Sequence, residues 1–189
     1  MQQDEFLAII EGNPAVAAIL DRADQLRLPQ WYLTAGGLFQ TVWNHRAGLD
    51  PQNGIRDYDF FYFDDSDTSY DAEDRAIGHA ARLFGDLGVD VEVRNQARVH
   101  LWYEDHFGVP LRPYRSTEDA IDHFVSTTCC FGVRSEPGGA RVVYAPHGFE
   151  DVAAGVIRPN PMLPMREVYE SKAARWTSVW PALTVVPWP

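Results

Sequence analysis

The sequence predicts a mixed α/β (α+β) fold, in which helices pack against a small, twisted mixed sheet. Aromatic and β-branched runs typical of strands alternate along the chain with amphipathic segments typical of helices. The 189 residues, 46% of them hydrophobic, provide enough apolar material for one packed core. We therefore predict a single domain over residues 1–189, with an N-terminal helical segment at 1–30 and a C-terminal helical extension at 158–189.

Helices are indicated where apolar residues recur at helical spacing or where a capping residue opens the segment. Asn13 and Pro14 suit the N-cap and the first helical position of the second helix. Ser116, followed three positions later by Asp119, resembles the start of a capping box. The predicted helices lie at residues 5–10, 13–26, 38–43, 71–87, 116–124 and 166–180.

Strands are indicated by aromatic and β-branched runs that end at turn residues. Beyond its acidic start, the run at 57–63 is apolar on both faces, as expected of a central strand. The run at 89–103 alternates apolar and polar residues, and it predicts one long strand or two strands around Asn95. Glu-Pro-Gly-Gly at 136–139 indicates a hairpin turn. The predicted strands lie at residues 31–35, 57–63, 89–103, 127–134 and 140–144.

Charge and cysteine usage limit the possible partners and cell compartments. Lys and Arg total 16 against 27 Asp and Glu, so the net charge of −11 disfavours extended nucleic-acid binding and suits a protein that collects divalent cations. No apolar run approaches the ~20 residues of a membrane helix, and the N-terminus lacks the basic start of a signal peptide. Cys129 and Cys130 are sequence neighbours, which excludes a disulfide framework. We expect a cytoplasmic protein without membrane partners.

A glycine pair follows the first predicted strand. Gly36 and Gly37 stand between that strand and the next helix, where backbone amides can approach a ligand closely and the helix N-terminus favours anions such as phosphate. Glycine pairs are also common in turns of purely structural function. The pair alone therefore leaves both interpretations open.

Carboxylates cluster on the next two predicted strands. Asp57 and Asp59, two positions apart, project to one face of a strand, where their mutual repulsion suggests a divalent metal such as Mg²⁺ or Mn²⁺. Alternatively, Asp57 lies in the preceding loop and Asp59 caps a nearby group. Asp90 and Glu92 share a polar face, which is either solvated or supplies the third carboxylate of a two-metal site.

Several basic side chains have two open interpretations. Arg94 continues the polar face of Glu92 and either pairs with a carboxylate or holds phosphate. Lys172 and Arg175, three positions apart on the last predicted helix, form either a clamp for a nucleoside triphosphate or a surface that balances nearby glutamates. His100 either accepts a proton from an acceptor hydroxyl or makes a structural hydrogen bond.

The combination of glycine pair, Asp-x-Asp and later strand carboxylate resembles the DNA polymerase β-like nucleotidyltransferase superfamily. The chain looks more specifically like a bacterial family of small nucleotidyltransferase-like proteins. The stretches that carry this resemblance are AGGLFQTVWN at 35–44, IRDYDFFYFD at 55–64, VEVRNQARVHLWY at 91–103, FGVR at 131–134, APHGFEDV at 145–152 and RPNP at 158–161.

The resemblance implies a nucleotidyltransferase fold and a role for each motif residue. Gly36 and Gly37 form the triphosphate-binding turn, and Asp57 and Asp59 bind the metal. Glu92 is the preferred third carboxylate, with Asp90 as the alternative. The 19 residues between Gly37 and Asp57 exceed the usual gap, so the extra length must loop out for the two motifs to converge. Arg94, Lys172 and Arg175 complete the expected nucleotide contacts.

The implied enzyme transfers a nucleoside monophosphate from an NTP to an acceptor and releases pyrophosphate, with Mg²⁺ or Mn²⁺ as cofactor. The expected acceptor is a small molecule or a protein side chain, because the charge of −11 disfavours a polynucleotide. A non-catalytic nucleotide-binding or interaction domain with the same fold is the alternative, and a nucleotide-acting toxin or its antidote is a third possibility.

Overall fold

A five-stranded mixed sheet lies at the centre of the computed structural model, which describes residues 1–189. Its strands, in chain order, are β1 (Tyr32–Thr34), β2 (Tyr58–Tyr62), β3 (Val91–Asn95), β4 (Gly132–Ser135) and β5 (Arg141–Tyr144). Their spatial order is β3-β2-β1-β4-β5; β2 and β3 run parallel and the other neighbours antiparallel. The mixed sheet with flanking helices confirms the predicted fold class.

Helices precede, connect and follow these strands. The segments are α1 (Gln3–Glu11), α2 (Pro14–Arg22), α3 (Gly36–Ala47), α4 (Tyr70–Phe84), α5 (Tyr103–Phe107), α6 (Thr117–Ile121), α7 (Glu150–Ala154) and α8 (Arg166–Val179). The predicted caps are confirmed: Asn13 accepts from the backbone N–H of Ala15 at 3.0 Å, and Ser116 accepts from that of Asp119 at 3.0 Å. None of the helices combines the length and the apolarity needed to cross a bilayer.

Aromatic side chains fasten the C-terminal helix α8 to α3. The Trp176 ring lies 5.2 Å from Phe39 and 5.8 Å from Trp43, measured between ring centroids. Trp180 Nε1 donates to Asn44 Oδ1 at 2.8 Å. Beyond α8, the chain returns to pair β7 (Thr184–Val185) with β6 (Val156–Ile157). Leu183 and Trp188 pack against the core, as expected of an apolar C-terminus, whereas Val185 is 40% exposed.

The prediction of a strand over 89–103 is wrong beyond Asn95. Asn95 Oδ1 accepts from the backbone N–H groups of Asp64 and Ala97, at 3.0 and 3.1 Å, and its Nδ2 donates to the Asp64 carbonyl at 2.8 Å. These bonds turn the chain out of the sheet and into a 3-10 helix at Gln96–Leu101. The strand predicted at 127–134 likewise begins only at Gly132, because Thr127–Cys129 forms a helical turn.

Candidate active site

A cavity of about 580 Å³ lies over the face of the sheet formed by β2 and β3. Residues from several separate parts of the chain line it, among them the β1–α3 turn, strands β2 and β3, the segments between β3 and β4, and helix α8. The candidate site residues that line the cavity are Gly36, Asp57, Asp59, Glu92, Arg94, Lys172 and Arg175. The structure therefore brings together candidates that lie far apart in the sequence.

The turn between β1 and α3 is sharp, and its two glycines have different surroundings. Ala35 has φ 53° and ψ −130°, a rare conformation for a residue with a side chain. Gly36 begins α3 and lines the cavity. A Cβ on Gly37 would lie 2.7 Å from Cδ1 of Tyr58, so Gly37 permits close packing of α3 on β2. Gly37 is not part of the cavity wall.

The loop between α3 and β2 accommodates the long spacing between the glycines and the aspartates. Asn44 Nδ2 donates to the carbonyls of Pro51 and Asn53 at 3.0 and 2.8 Å, which fixes the loop against the end of α3. As a result, a Cβ on Gly36 would lie only 3.9 Å from the Asp57 carbonyl oxygen. The extra residues loop out, and the glycine turn and the aspartates converge as expected.

The three carboxylates face the same cavity from adjacent strands. Asp59 on β2 is in register with Glu92 on β3, and Asp57 immediately precedes β2, two positions from Asp59. Asp90 does not line the cavity; its carbonyl accepts from the Tyr58 backbone N–H at 2.9 Å. Between the two candidates for the third carboxylate, the structure thus places Glu92 beside the aspartates.

Carboxylate oxygens are donors that suit Mg²⁺ or Mn²⁺, so the residue types fit a divalent ion. Glu92, however, forms an ion pair with Arg94, with 2.7 Å between Oε1 and Nη2, and no three acidic, histidine or cysteine side chains are gathered as metal ligands. Asp57 and Asp59 are thus available to a cation from the cavity, whereas Glu92 would have to exchange its contact with Arg94.

The electrostatics at Asp59 favour a positive charge beside it. Loss of solvent around the carboxyl group, and to a lesser degree the charges of Asp57 and Glu92, raise the pKa of Asp59 from 3.8 to about 7. Lys172 and the Gly36 backbone N–H oppose this rise. A bound cation would relieve the same repulsion.

Cationic side chains surround the glycine turn. Arg56 lines the cavity beside Asp57, and Lys172 and Arg175 reach it from α8. Desolvation, together with the nearby charge of Arg56, lowers the pKa of Arg175. We call Gly36, Arg56, Lys172 and Arg175 the phosphate end of the cavity. The sequence analysis missed Arg56, although its position directly before Asp57 could have indicated it.

The opposite part of the cavity is aromatic. Phe61 lies two positions beyond Asp59 on β2, and its ring is 5.7 Å from that of Phe124. We call this part the aromatic end; it is lined by Phe61, Tyr103, Tyr114, His123 and Phe124, with the exposed Trp102 and Phe107 at its rim. The sequence analysis missed this end because most of its residues come from segments it did not combine.

Three other polar residues have surroundings that the sequence did not indicate, two of them in the segment after β3 and one on α3. Arg98 forms a buried ion pair with Glu73, and neither residue lines the cavity. His100 also lies outside the cavity, and its Nδ1 is buried without a hydrogen-bond partner. Gln40, which was not a candidate, lines the cavity beside Gly36; it is 4% exposed and its Oε1 has no partner.

Comparisons with known proteins agree with this geometry. A family model described as nucleotidyltransferase matches residues 21–185. A solved structure described as "The NMR structure of the protein reveals a CCA-adding enzyme head domain" has a TM-score of 0.80 and 24% sequence identity, covering 99% of this chain and 97% of that chain. At this identity the likeness concerns the fold. No curated protein matches the chain. Since the family model spans most of its length, the chain belongs to the nucleotidyltransferase family.

Proposed function

We propose that the protein is a metal-dependent nucleotidyltransferase that moves a nucleoside monophosphate from an NTP to a small-molecule or protein acceptor. The observation that carries this proposal is the convergence of Asp57, Asp59 and Glu92 with the phosphate end in one cavity. Carboxylates beside a cationic, glycine-lined turn are what a metal-bound triphosphate requires.

Asp57 and Asp59 would hold the metal, joined by Glu92 once it leaves Arg94. A divalent ion bound there would neutralise the charge that develops on the transferred phosphoryl group. The chain's own contribution to the triphosphate is the phosphate end, where Lys172 and Arg175 add positive charge and Gly36 allows close approach. Arg94 is released to contact the nucleotide when Glu92 exchanges partners.

The transfer forms a bond between an acceptor oxygen or nitrogen and the α-phosphorus of the NTP. The bond from that phosphorus to the bridging oxygen breaks, and pyrophosphate leaves with the electron pair. Glu92 would orient or deprotonate the acceptor nucleophile, since it lies beside Asp59 on the neighbouring strand and faces the same cavity.

The proposed setting is the reducing cytoplasm. Cys129 and Cys130 are both buried and free, which suits a protein that does not depend on disulfides. The net charge of −11 argues against a polynucleotide acceptor, because its phosphates would be repelled by most of the protein surface.

Incubation with each NTP labelled at the α-phosphate, with Mg²⁺ or Mn²⁺ and a cell extract, tests the proposal. Label should appear on an acceptor with the wild-type protein and not with Asp59→Asn, whereas Asp65→Asn, an exposed acidic residue outside the cavity, should behave like wild type. NTP binding without any labelled product would instead support the non-catalytic alternative.

A further inference from the structure

The two ends of the cavity lie on opposite sides of Asp59. In the antiparallel pairing of β1 and β2, Thr34 is opposite Asp59, so the following turn with Gly36 runs towards Asp57. In the other direction, Phe61 projects to the same face as Asp59, about 7 Å further along the strand. The carboxylates therefore separate the phosphate end from the aromatic end.

This order restricts where an acceptor can bind, if the proposed function holds. In phosphoryl and nucleotidyl transfer, the attacking and leaving oxygens lie roughly in line on opposite sides of the phosphorus. Pyrophosphate leaves at the phosphate end, beside Lys172 and Arg175. The nucleophile must then approach from the other side of the carboxylates, which is the aromatic end.

We propose that the aromatic end is the acceptor subsite and that it takes an uncharged small molecule with an aromatic ring and a hydroxyl group. This inference rests on the proposed function and specifies its acceptor. Tyr103, Tyr114 and Phe124 provide ring faces that can pack against a planar ligand. The cation Arg94 pairs with Glu92 in the free protein and is assigned to the nucleotide in the proposed reaction, so nothing at this end requires a charged acceptor.

His123 gives the aromatic end a directed hydrogen-bond acceptor. Its side chain is only 6% exposed, and its Nδ1 lies 2.6 Å from the Asp119 carbonyl oxygen. A carbonyl can only accept, so Nδ1 carries the proton and Nε2 of the neutral ring has a free lone pair. Nε2 makes no hydrogen bond within the chain. It can accept a hydrogen bond from the hydroxyl group of a ligand in the cavity.

Hydrogen bonds to the Asp119 side chain fix the residue whose carbonyl contacts His123. Arg112 donates two hydrogen bonds to the Asp119 carboxylate, each at 2.8 Å, and the Arg115 backbone N–H adds a third at 2.9 Å. The Tyr114 ring lies 5.1 Å from the His123 ring, between centroids. The imidazole is therefore held from two sides before any ligand binds.

The charges around the rim argue against a polynucleotide at this end. Glu104 and Asp105 are exposed next to Tyr103, whereas the cations Arg112 and Arg115 are engaged by Asp119. A phosphate backbone would meet exposed carboxylates and no free cation at the rim. A neutral aromatic molecule avoids this repulsion.

Binding of a neutral probe, followed by amide chemical shifts, tests the subsite directly. Wild-type protein should bind 2-naphthol more tightly than 2-methoxynaphthalene, which cannot donate a hydrogen bond. His123→Phe keeps a ring beside Tyr114 and should abolish this preference, whereas Tyr103→Ala should weaken binding of both probes about tenfold. Tyr70→Ala, which removes an exposed aromatic ring outside the cavity, is the matched control and should change neither affinity.

Inorganic tripolyphosphate separates failure of this inference from failure of the proposed function. It should bind together with 2-naphthol, should be unaffected by Tyr103→Ala, and should be weakened by Lys172→Gln. If tripolyphosphate binds as expected but 2-naphthol does not bind, or binds equally well to Tyr103→Ala, the acceptor subsite is overturned. If the affinity for tripolyphosphate is the same in Lys172→Gln as in wild type, the proposed function itself is in error. Because Tyr103 is only half-buried, Tyr103→Ala remains informative should His123→Phe not fold.

Labelled transfer provides the final comparison. With α-labelled NTP and Mn²⁺, wild-type protein should label compounds from a panel of neutral aromatic alcohols, and Tyr103→Ala should label them at least several-fold less. Transfer to single-stranded oligonucleotides in preference to this panel would overturn the inferred acceptor class while leaving the nucleotidyltransferase proposal intact.

Discussion

Asp59 carries an unfavourable charge in the metal-free protein. Because its pKa is raised from 3.8 to about 7 by desolvation and then by Asp57 and Glu92, the folded state holds a proton that the unfolded state releases between these values. Stability attributed to this carboxyl group therefore falls as the pH rises from about 4 through 7. At neutral pH and above, ionisation of Asp59 therefore destabilises the folded protein, because the charge is desolvated and repelled by Asp57 and Glu92.

Asp59→Asn should consequently stabilise the metal-free protein at pH 8. A gain of about 1 kcal/mol would raise Tm by about 2–4 °C for a chain of this size. The difference from wild type should shrink as the pH is lowered from 7 towards 4, because Asp59 of the folded wild type is then protonated and uncharged. Calorimetric scans in chelator at several pH values measure this, with Asp65→Asn as the exposed control. A lower Tm for Asp59→Asn at pH 8 would contradict the repulsion between Asp59 and its neighbouring carboxylates.

The two glycines of the β1–α3 turn should respond differently to alanine. A Cβ at Gly37 would lie 2.7 Å from the ring of Tyr58, which is buried and accepts from Asn13 Nδ2, so Gly37→Ala should destabilise by about 1–3 kcal/mol. A Cβ at Gly36 meets mainly the flexible end of Gln40, 2.6 Å away, so Gly36→Ala should remain folded.

Denaturation in urea and tripolyphosphate titration distinguish these two effects. Gly36→Ala should bind tripolyphosphate more weakly than wild type while keeping a similar midpoint in urea. Gly37→Ala should lose stability, and any folded fraction should bind tripolyphosphate normally. The reverse pattern would mean that Gly37, and not Gly36, contacts the ligand.

Residue spacing predicted some of the candidate site and missed the rest for identifiable reasons. Asp57 and Asp59 were found because two positions along a strand share a face, and this relation is local. His123 could not be found in this way, because its role depends on its hydrogen bond to the Asp119 carbonyl and on the packing of its neighbour Phe124 against Phe61 of β2. Contacts of that kind leave no periodic signal in the sequence.

At the level of elements, the segment after β3 shows how alternation can mislead. Apolar and polar residues alternate from Val91 onwards, yet only Val91–Asn95 pairs with β2. Asn95 uses its side-chain amide to bind Asp64 and to cap the following 3-10 helix, so a single polar side chain ends the strand. Beyond Asn95 the alternation also fails to predict burial, since the polar Gln96 is buried and the apolar Leu101 is 55% exposed.

The buried pair of Glu73 and Arg98 fastens this 3-10 helix to α4. Both side chains are largely shielded from solvent, and Glu73 also accepts from the Asn95 backbone N–H at 2.9 Å. Arg98→Met would leave the Glu73 charge buried without a partner, which should cost about 3–5 kcal/mol. Because the same segment leads into Tyr103, the aromatic end should become disordered as well.

The double variant Glu73→Gln, Arg98→Met tests the cause of that loss. Removing the uncompensated charge should recover part of the free energy of unfolding measured in urea, since a neutral amide can still accept from Asn95. An equal loss in the single Arg98→Met variant and in the double variant would show that Arg98 stabilises by packing and not by its charge.

At the level of the whole molecule, the order of elements and the sheet could be predicted, but the cavity could not. Local sequence patterns predict the alternation of helices and strands, and the structure confirms the mixed sheet. The approach of α8 to the glycine turn, which carries Lys172 and Arg175 to the cavity, depends on Trp176 and Trp180 packing against α3. Contacts between aromatic residues that are far apart in the sequence position the site, and no spacing of residues along the chain predicts them.

Ligand binding should be visible as a change in the stability of the whole chain. A ligand that binds only the folded protein at 100 times its Kd stabilises by about 2.7 kcal/mol, which corresponds to a rise in Tm of about 5–11 °C for a chain of this size. We expect such a rise with Mn²⁺ and a non-hydrolysable NTP together, and a smaller rise with either alone, because the carboxylates need the cation before they tolerate a triphosphate.

The variant Asp57→Asn, Asp59→Asn should be stable without ligand and should lose the combined shift, because it lacks two proposed metal-binding carboxylates. Asp65→Asn is the control, because it removes an acidic charge without touching the proposed metal site. Asp65 lies in an exposed loop beyond the far end of β2, about six residues or roughly 20 Å from Asp59. That distance exceeds two Debye lengths at physiological salt, so its shift should equal that of wild type. Scanning fluorimetry of all three proteins over the same ligand range makes the comparison. A shift that persists in the double variant and disappears in Asp65→Asn would move the cation site from β2 to the acidic loop, and the roles proposed for Asp57 and Asp59 would then be withdrawn.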